Sequence, residues 1–297
     1  MRAHPLRHSS RWAGAAGAIL AALALALTAG PAAAIRGGAP ADPAAWPFIV
    51  ALMRPGANDY ENQFCAGALV APNRVVTAAH CVVEDGRVLR ARDVQVRTGG
   101  QPLARRRGDR VRVAAIRKMP RYRDTGEGWD AAVLVLAEPV STPTIRVATG
   151  ADAAITAATR PAQIAGWGDR TDGNGVFPTR LFAGTVPIRS ARLCGRLVSN
   201  LFEASSDMCA GVLARGGPDT CKGDSGGPLI VVGTAGEPVL AGITSSGNGC
   251  GRPRSPGVYT RVAALTGWLR SVGVPVDPPA PAPPPPPAPA PAPPVPA

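Results

Sequence analysis

The chain is poor in the side chain that most often carries proton chemistry near neutral pH. It has three histidines in 297 residues, and two of them, His4 and His8, lie close to the N-terminus. Past that region, chemistry that needs more than one imidazole is excluded, and His80 is the only ring available. Lysine is almost absent, with only Lys118 and Lys222, so the net charge of +12 rests on arginine. No Asn-X-Ser/Thr sequence occurs, which excludes N-glycosylation. Long amphipathic helical stretches are missing from the interior, which excludes a helical bundle. No cysteine is left over, because the six present make an even number.

A long uncharged run of mostly Ala, Leu and Gly stands at the start. Arg2, Arg7 and Arg11 make a basic head, and Ala13 to Ala29 follow as a run of small and apolar residues. Pro31-Ala32-Ala33-Ala34 then places small residues where a signal peptidase reads. The run is marginal for a membrane span. Residues 1–34 are therefore expected to be a cleaved signal peptide and the protein to be secreted. Cleavage removes three arginines and no acid, so the charge falls from +12 to +9. Such a basic surface suits a polyanionic cell envelope, although solubility alone also accounts for it. An exported protein keeps disulfides. Cys65, Cys81, Cys194, Cys209, Cys221 and Cys250 fit three bridges, whose pairing the sequence leaves open.

From Phe48 the chain reads as short strand-like runs cut by Gly, Pro, Asn and Asp. The first set is Phe48–Met53, Phe64–Val70, Arg74–Ala79, Val94–Thr98, Arg110–Lys118 and Ala131–Leu136. The second is Ala162–Gly166, Phe182–Arg189, Asp207–Val212, Pro228–Val232, Val239–Ser245 and Gly257–Ala263. The pattern predicts an all-β fold in two halves, about 35–145 and 146–272. Val262–Arg270 has an apolar face at helical spacing and is expected to close the domain as a short helix. Residues 273–297 become almost only Pro, Ala and Val, and are expected to be a disordered, polyproline-like tail, either a spacer or inert.

The chemistry gathers in three places. Gly223-Asp224-Ser225-Gly226-Gly227-Pro228 sets a serine between an acid and two glycines that let another molecule approach the backbone. Thr77-Ala78-Ala79-His80-Cys81 ends a strand with the available imidazole. Trp129-Asp130 opens the apolar strand Ala131–Leu136, and an acid at the mouth of a buried strand needs a partner. A serine, an imidazole and a buried carboxylate make an activated nucleophile.

With Gly166-Trp167-Gly168 and Pro256-Gly257-Val258-Tyr259, these motifs resemble the trypsin-like serine proteases of the chymotrypsin family across residues 35–272. The order His80, Asp130, Ser225 is that family's order. The resemblance implies two six-stranded antiparallel β-barrels and a serine endopeptidase that needs no cofactor and no metal. It implies Ser225 as nucleophile, His80 as base and acid, Asp130 as the residue that orients His80, and the N–H groups of Gly223 and Ser225 as an oxyanion hole. It also implies the pairs Cys65–Cys81, Cys194–Cys209 and Cys221–Cys250.

Four residues match the family's substrate-binding positions: Asp219 as the floor of the primary pocket, Gly247 and Gly257 as open walls, and Ser245, which also supports the buried aspartate. Their chemistry implies cleavage after Arg or Lys. Asp224 matches the residue that pairs with a new N-terminal ammonium, and Ile35 matches that terminus. No Arg or Lys precedes Ile35, so signal peptidase is expected to expose it directly. Three features depart from the family. Arg36 replaces a small apolar residue, an obstacle to docking, and makes Arg36-Gly37 a bond such an enzyme could cut. Ser246 stands in place of a tryptophan beside the pocket. The loop 99–110 carries arginines where calcium-binding relatives carry acids, so no calcium is expected there. The expected partners are protein or peptide substrates, with no specific nucleic acid, loose contact with a cell envelope, and a monomeric state. The rival function is a catalytically impaired member serving as a basic envelope-binding module.

Overall fold

The computed structural model describes residues 35–103, 110–123, 128–172, 175 and 177–276. The expected signal peptide, the tail from 277 onward and the centre of the 99–110 loop lie outside the described residues.

Runs of β-branched and small apolar residues form the strands. In the first half these are β1 (Ile49–Met53), β2 (Gln63–Ala71), β3 (Arg74–Thr77), β4 (Gln95–Thr98), β5 (Val111–Lys118) and β6 (Ala132–Leu136). They close into an antiparallel barrel in the order β1-β2-β3-β6-β5-β4. In the second half they are β7 (Pro161–Gly166), β8 (Phe182–Pro187), β9 (Asp207–Ala210), β10 (Pro228–Val232), β11 (Pro238–Ser246) and β12 (Gly257–Arg261). Their order is β8-β7-β10-β11-β12-β9. Two-residue strands at Ala39–Pro40 and Arg146–Val147 add to β8 and β11. The outer strands β8 and β9 meet where Ile188 bridges Ala210 and Arg189 N–H donates to Cys209 O at 2.8 Å. This half therefore closes through a narrow seam rather than a full ladder.

The core falls into two clusters, and the larger, centred on the first half, also takes in Trp167, Leu181, Ile230, Leu240 and Ile243 of the second. Ile49, Leu52, Leu69 and Leu134 are fully buried in the first, and Ile164, Leu229 and Tyr259 in the second. The C-terminal segment is a 3-10 turn, Val262–Leu265, followed by a short helix, Thr266–Ser271. Its Leu265 and Leu269, with Val274 and Val276 beyond them, pack into the first core. Ordered packing thus continues past the expected boundary at 272. The sequence reading missed two other short helices. They are α1 (Asp59–Asn62), capped by Asn58, and α2 (Ala191–Leu197), capped by Ser190. The closing helix Thr266–Ser271 is α3.

The strand register places the chemistry. β3 pairs with β6 so that Thr77 faces Ala132. His80 follows β3 and Asp130 precedes β6, so this pairing sets them side by side. Ser225 lies in the loop just before β10, while Ser245 is on β11 and Gly257 begins β12.

Candidate active site

Asp130 is buried and collects donors. His80 Nδ1 lies 2.7 Å from Oδ2, His80 N–H donates to Oδ1 at 2.9 Å, and Ser245 Oγ donates to Oδ2 at 2.7 Å. Burial pushes this carboxyl up, but His80 and Ser245 outweigh it and hold Asp130 below its ordinary value. An ionised carboxylate only accepts, so the proton of a neutral His80 sits on Nδ1 and leaves Nε2 as the base.

One disulfide gathers the imidazole and the serine loop. Cys81 is bonded to Cys65 on β2. Its Sγ lies 3.8 Å from His80 Nε2 and 3.6 Å from Ser225 O. The next residue on β2, Ala66, donates its N–H to Ser225 O at 2.8 Å. Gly226 is required at its position: its φ is +78°, and a Cβ would lie 2.1 Å from Thr77 Oγ1.

The backbone of the loop is pinned from behind. Lys222 O accepts from Asp169 N–H at 2.7 Å, and Asp224 O accepts from Gly227 N–H at 2.9 Å. In a planar trans peptide the N–H points opposite to its carbonyl. The N–H of Gly223 therefore turns away from Asp169, and that of Ser225 away from Gly227. Gln63 Nε2, on β2, holds Gly223 O at 2.8 Å.

Beside Ser225 opens a cavity of about 380 Å³ that is lined by Asp219, Ser225, Ser245, Gly247 and Gly257. The structure thus brings together all four expected substrate-binding residues and the expected nucleophile. Asp219 is 3% exposed, and its carboxylate accepts the N–H groups of Thr220 (2.9 Å) and Gly251 (2.7 Å). Burial raises its pKa to about 7, against the lowering effect of those two bonds and of Arg36. A Cβ at Gly257 would sit 2.8 Å from Asp219 Oδ1, so any side chain there would cover the carboxylate. Lys222 and Ser246 also face this cavity.

Ile35 and Asp224 are both fully buried. Ile35 packs in the second core. Asp224 accepts Gly168 N–H at 2.7 Å and Cys221 N–H at 2.9 Å, and no ion pair reaches it among the described residues. Burial raises its pKa to about 7, the two N–H bonds lower it, and the charges of Asp219 and Asp169 raise it further. Ile35 is buried, and the guanidinium of Arg36 turns to Cys250 O at 2.6 Å.

Cys194–Cys209 and Cys221–Cys250 complete the three bridges. Cys65, His80 and Cys81 cluster within 4.8 Å, but both sulfurs are used in a disulfide and offer no thiolate to a metal. Two supports of Asp130 were missed in the sequence. Thr260 Oγ1 donates to its carbonyl at 2.9 Å. Ser206 Oγ accepts the N–H of Trp129 at 2.9 Å and holds that residue at φ +55°, just before Asp130. Neither position carries a sequence signal, because each acts through a strand pairing distant in the chain.

A closed β-barrel joined to a second antiparallel sheet, with His80 bonded to Asp130 and one disulfide lying against both His80 and the Ser225 loop, fits the class of serine endopeptidases. Comparison with known proteins agrees: the family model described as Trypsin matches residues 35–269. The chain is 40% identical over 230 residues to a trypsin of Saccharopolyspora erythraea, covering 77% of this chain and 94% of that one. It is 37% identical over 229 residues to a trypsin-like protease of Streptomyces glaucescens, covering 77% and 78%. Trypsin Blo t 3 of Blomia tropicalis is 32% identical over 244 residues, with 77% and 82% covered. The chain belongs to the trypsin family and is a trypsin-like serine endopeptidase.

Proposed function

We propose that the protein is a secreted endopeptidase that cleaves peptide bonds after Arg or Lys through an acyl-enzyme on Ser225. The observation that carries the specificity is Asp219, a buried carboxylate in the cavity that Ser225 lines, with Gly257 leaving it uncovered. A cationic side chain entering there meets a fixed charge in a desolvated setting.

In this reading Ser225 Oγ attacks the scissile carbonyl carbon as its proton passes to His80 Nε2. The carbonyl π pair moves onto oxygen, which the N–H groups of Gly223 and Ser225 receive. The C–N bond then breaks, the electron pair leaves with nitrogen, and His80 returns the proton to the departing amine. Water repeats the sequence against the ester, releasing the acid and restoring Ser225. Asp130, held below its ordinary pKa, stabilises the imidazolium formed in each half.

Activation follows from the N-terminus. Cleavage after Ala34 would give Ile35 an ammonium group, and the buried Asp224 is a carboxylate in want of a cation. Ser246 in place of an aromatic leaves upstream substrate residues loosely held.

The test is hydrolysis of peptide amides with Arg, Lys, Phe, Ala or Glu before the scissile bond, by protein beginning at Ile35 and by its Ser225→Ala variant. Cleavage after Arg and Lys alone, abolished by the substitution, is expected. Preference for Phe or Ala would refute the role of Asp219.

A further inference from the structure

Arg36 stands one residue beyond the terminus and touches both sides of the Asp219 cavity. Its carbonyl accepts the N–H of Asp219 at 3.0 Å. Its Nη1 donates to Cys250 O at 2.6 Å, and Cys250 is bonded to Cys221 of the floor segment. The neighbouring Gly251 donates its N–H to Asp219 Oδ2. The side chain runs so close to Gly251 that a Cβ there would lie 3.0 Å from Arg36 Cδ.

A third segment locks the same place. Asp172 sits at φ +59°, in the left-handed region that most side chains avoid. Its Oδ1 accepts Cys250 N–H at 2.8 Å, and its Oδ2 accepts Arg252 Nε at 2.6 Å. Arg36 Nη1 lies 3.5 Å from that same Oδ2. Burial would raise the Asp172 carboxyl, but Arg252, the Cys250 amide and Arg36 hold it below its ordinary value.

We propose that Arg36 is a specificity-determining positioning residue, which clamps the floor and far wall of the cavity and thereby sets affinity for a cationic substrate side chain. The inference rests on the proposed role of Asp219. A small apolar residue at 36 would keep the backbone bond to Asp219 and lose the bond to Cys250. It would also lose a positive charge. Arg36 and Asp172 act on Asp219, Asp224 and Tyr259 interact with it from the nucleophile loop and β12, and Lys222 and Arg252 line the same cavity. Arg36 favours the carboxylate, whereas Asp172 opposes it. Without it, Asp219 takes up its proton at a higher pH, and cation binding fails sooner as pH falls.

The test uses proteins that begin at Ile35: the unchanged chain, Arg36→Gln and Arg36→Lys. The probe is benzamidine, a small amidinium cation whose inhibition constant reports the cavity apart from the chemical steps. A shift of about one pH unit in the Asp219 midpoint corresponds to about fivefold weaker binding of benzamidine at pH 7. Arg36→Gln is expected to show that loss, converging with the unchanged chain in alkali. Its KM for Arg peptides should rise by more than its kcat falls, and Arg36→Lys should restore most of the midpoint. An unaltered inhibition constant and midpoint in Arg36→Gln would overturn the proposal. So would a fall in kcat and in Ser225 labelling by a fluorophosphonate at constant benzamidine affinity, which would assign Arg36 to docking of the terminus alone. If the unchanged chain cleaves after Arg but does not bind benzamidine, the inference falls while the protease reading stands. If it cleaves nothing after Arg, the reading of Asp219 fails first.

Discussion

Three buried acids, Asp130, Asp219 and Asp224, differ in what faces them, and that difference separates their proposed work. Asp130 has an imidazole and a hydroxyl and stays ionised, whereas Asp219 and Asp224 have only backbone donors close at hand and rise to about 7. Removing Ser245 Oγ by Ser245→Ala should therefore leave His80 less well oriented and lower kcat about tenfold, with KM little changed, in steady-state kinetics. Gly257→Val should place methyl groups over Asp219 and lower kcat/KM for Arg peptides about a hundredfold, while activity on peptides with Ala before the bond survives. For Asp219 the sign is fixed. In the proposed role the ionised form would bind the cation, so affinity for benzamidine should fall as pH drops through about 7. A midpoint near the ordinary carboxylate range would show that solvent reaches Asp219 and relieves its burial. The residues proposed for the chemistry were legible because that chemistry restricts their type. Gln63, Ser206, Thr260 and Asp172 were not, since each is a common polar residue made useful by a partner 77 or more positions away or, for Thr260, 130 positions away.

At the scale of elements, β2 is the scaffold. Three successive regions of it hold the loop: Gln63 binds Gly223 O, Cys65 bonds to Cys81, and Ala66 binds Ser225 O. Its edge is fixed in turn by Thr77 Oγ1, which donates to Ala66 O at 2.7 Å. Cys65→Ala with Cys81→Ala opens a loop of sequence separation 16 and should cost about 3 kcal/mol in denaturant unfolding. It should lower kcat as well, because the imidazole and the serine lose their common anchor. A variant that loses stability but keeps full kcat would show that the disulfide only staples the fold. The strands of both halves could be read from alternation and breakers. The four-residue α1 and seven-residue α2 could not, since their formation depends on the Asn58 and Ser190 caps and on Cys194 packing rather than on a helical stripe. The narrow seam between β8 and β9 has no sequence signature at all, because it is one bridge between segments that each read as ordinary strands.

For the whole molecule, the proposed activation would link folding to activity through the N-terminus. In a chain with Ala34 still attached, Asp224 has a pKa near 7 against an ordinary 3.8. Between those values the folded state binds more protons than the unfolded one, so stability falls as pH rises, by up to about 4 kcal/mol. In the proposed chain that begins at Ile35, an ammonium group paired with Asp224 would have its own pKa raised. That contribution is full below the ordinary α-amino value of about 8 and is lost as pH rises through the raised one. Melting temperatures of the two forms should therefore differ most near neutral pH and converge both in acid and in strong alkali. The form with Ala34 should also be far less active. Equal melting curves and equal activity at pH 7 would remove Asp224 from activation.

The central claim is that Ser225 becomes acylated. Its most direct measurement is the mass of the protein quenched while turning over an arginine ester, followed by peptide mapping. An added acyl group on Ser225, absent in His80→Ala, is the expected result. Steady hydrolysis with no adduct, or an adduct on another residue, would contradict it.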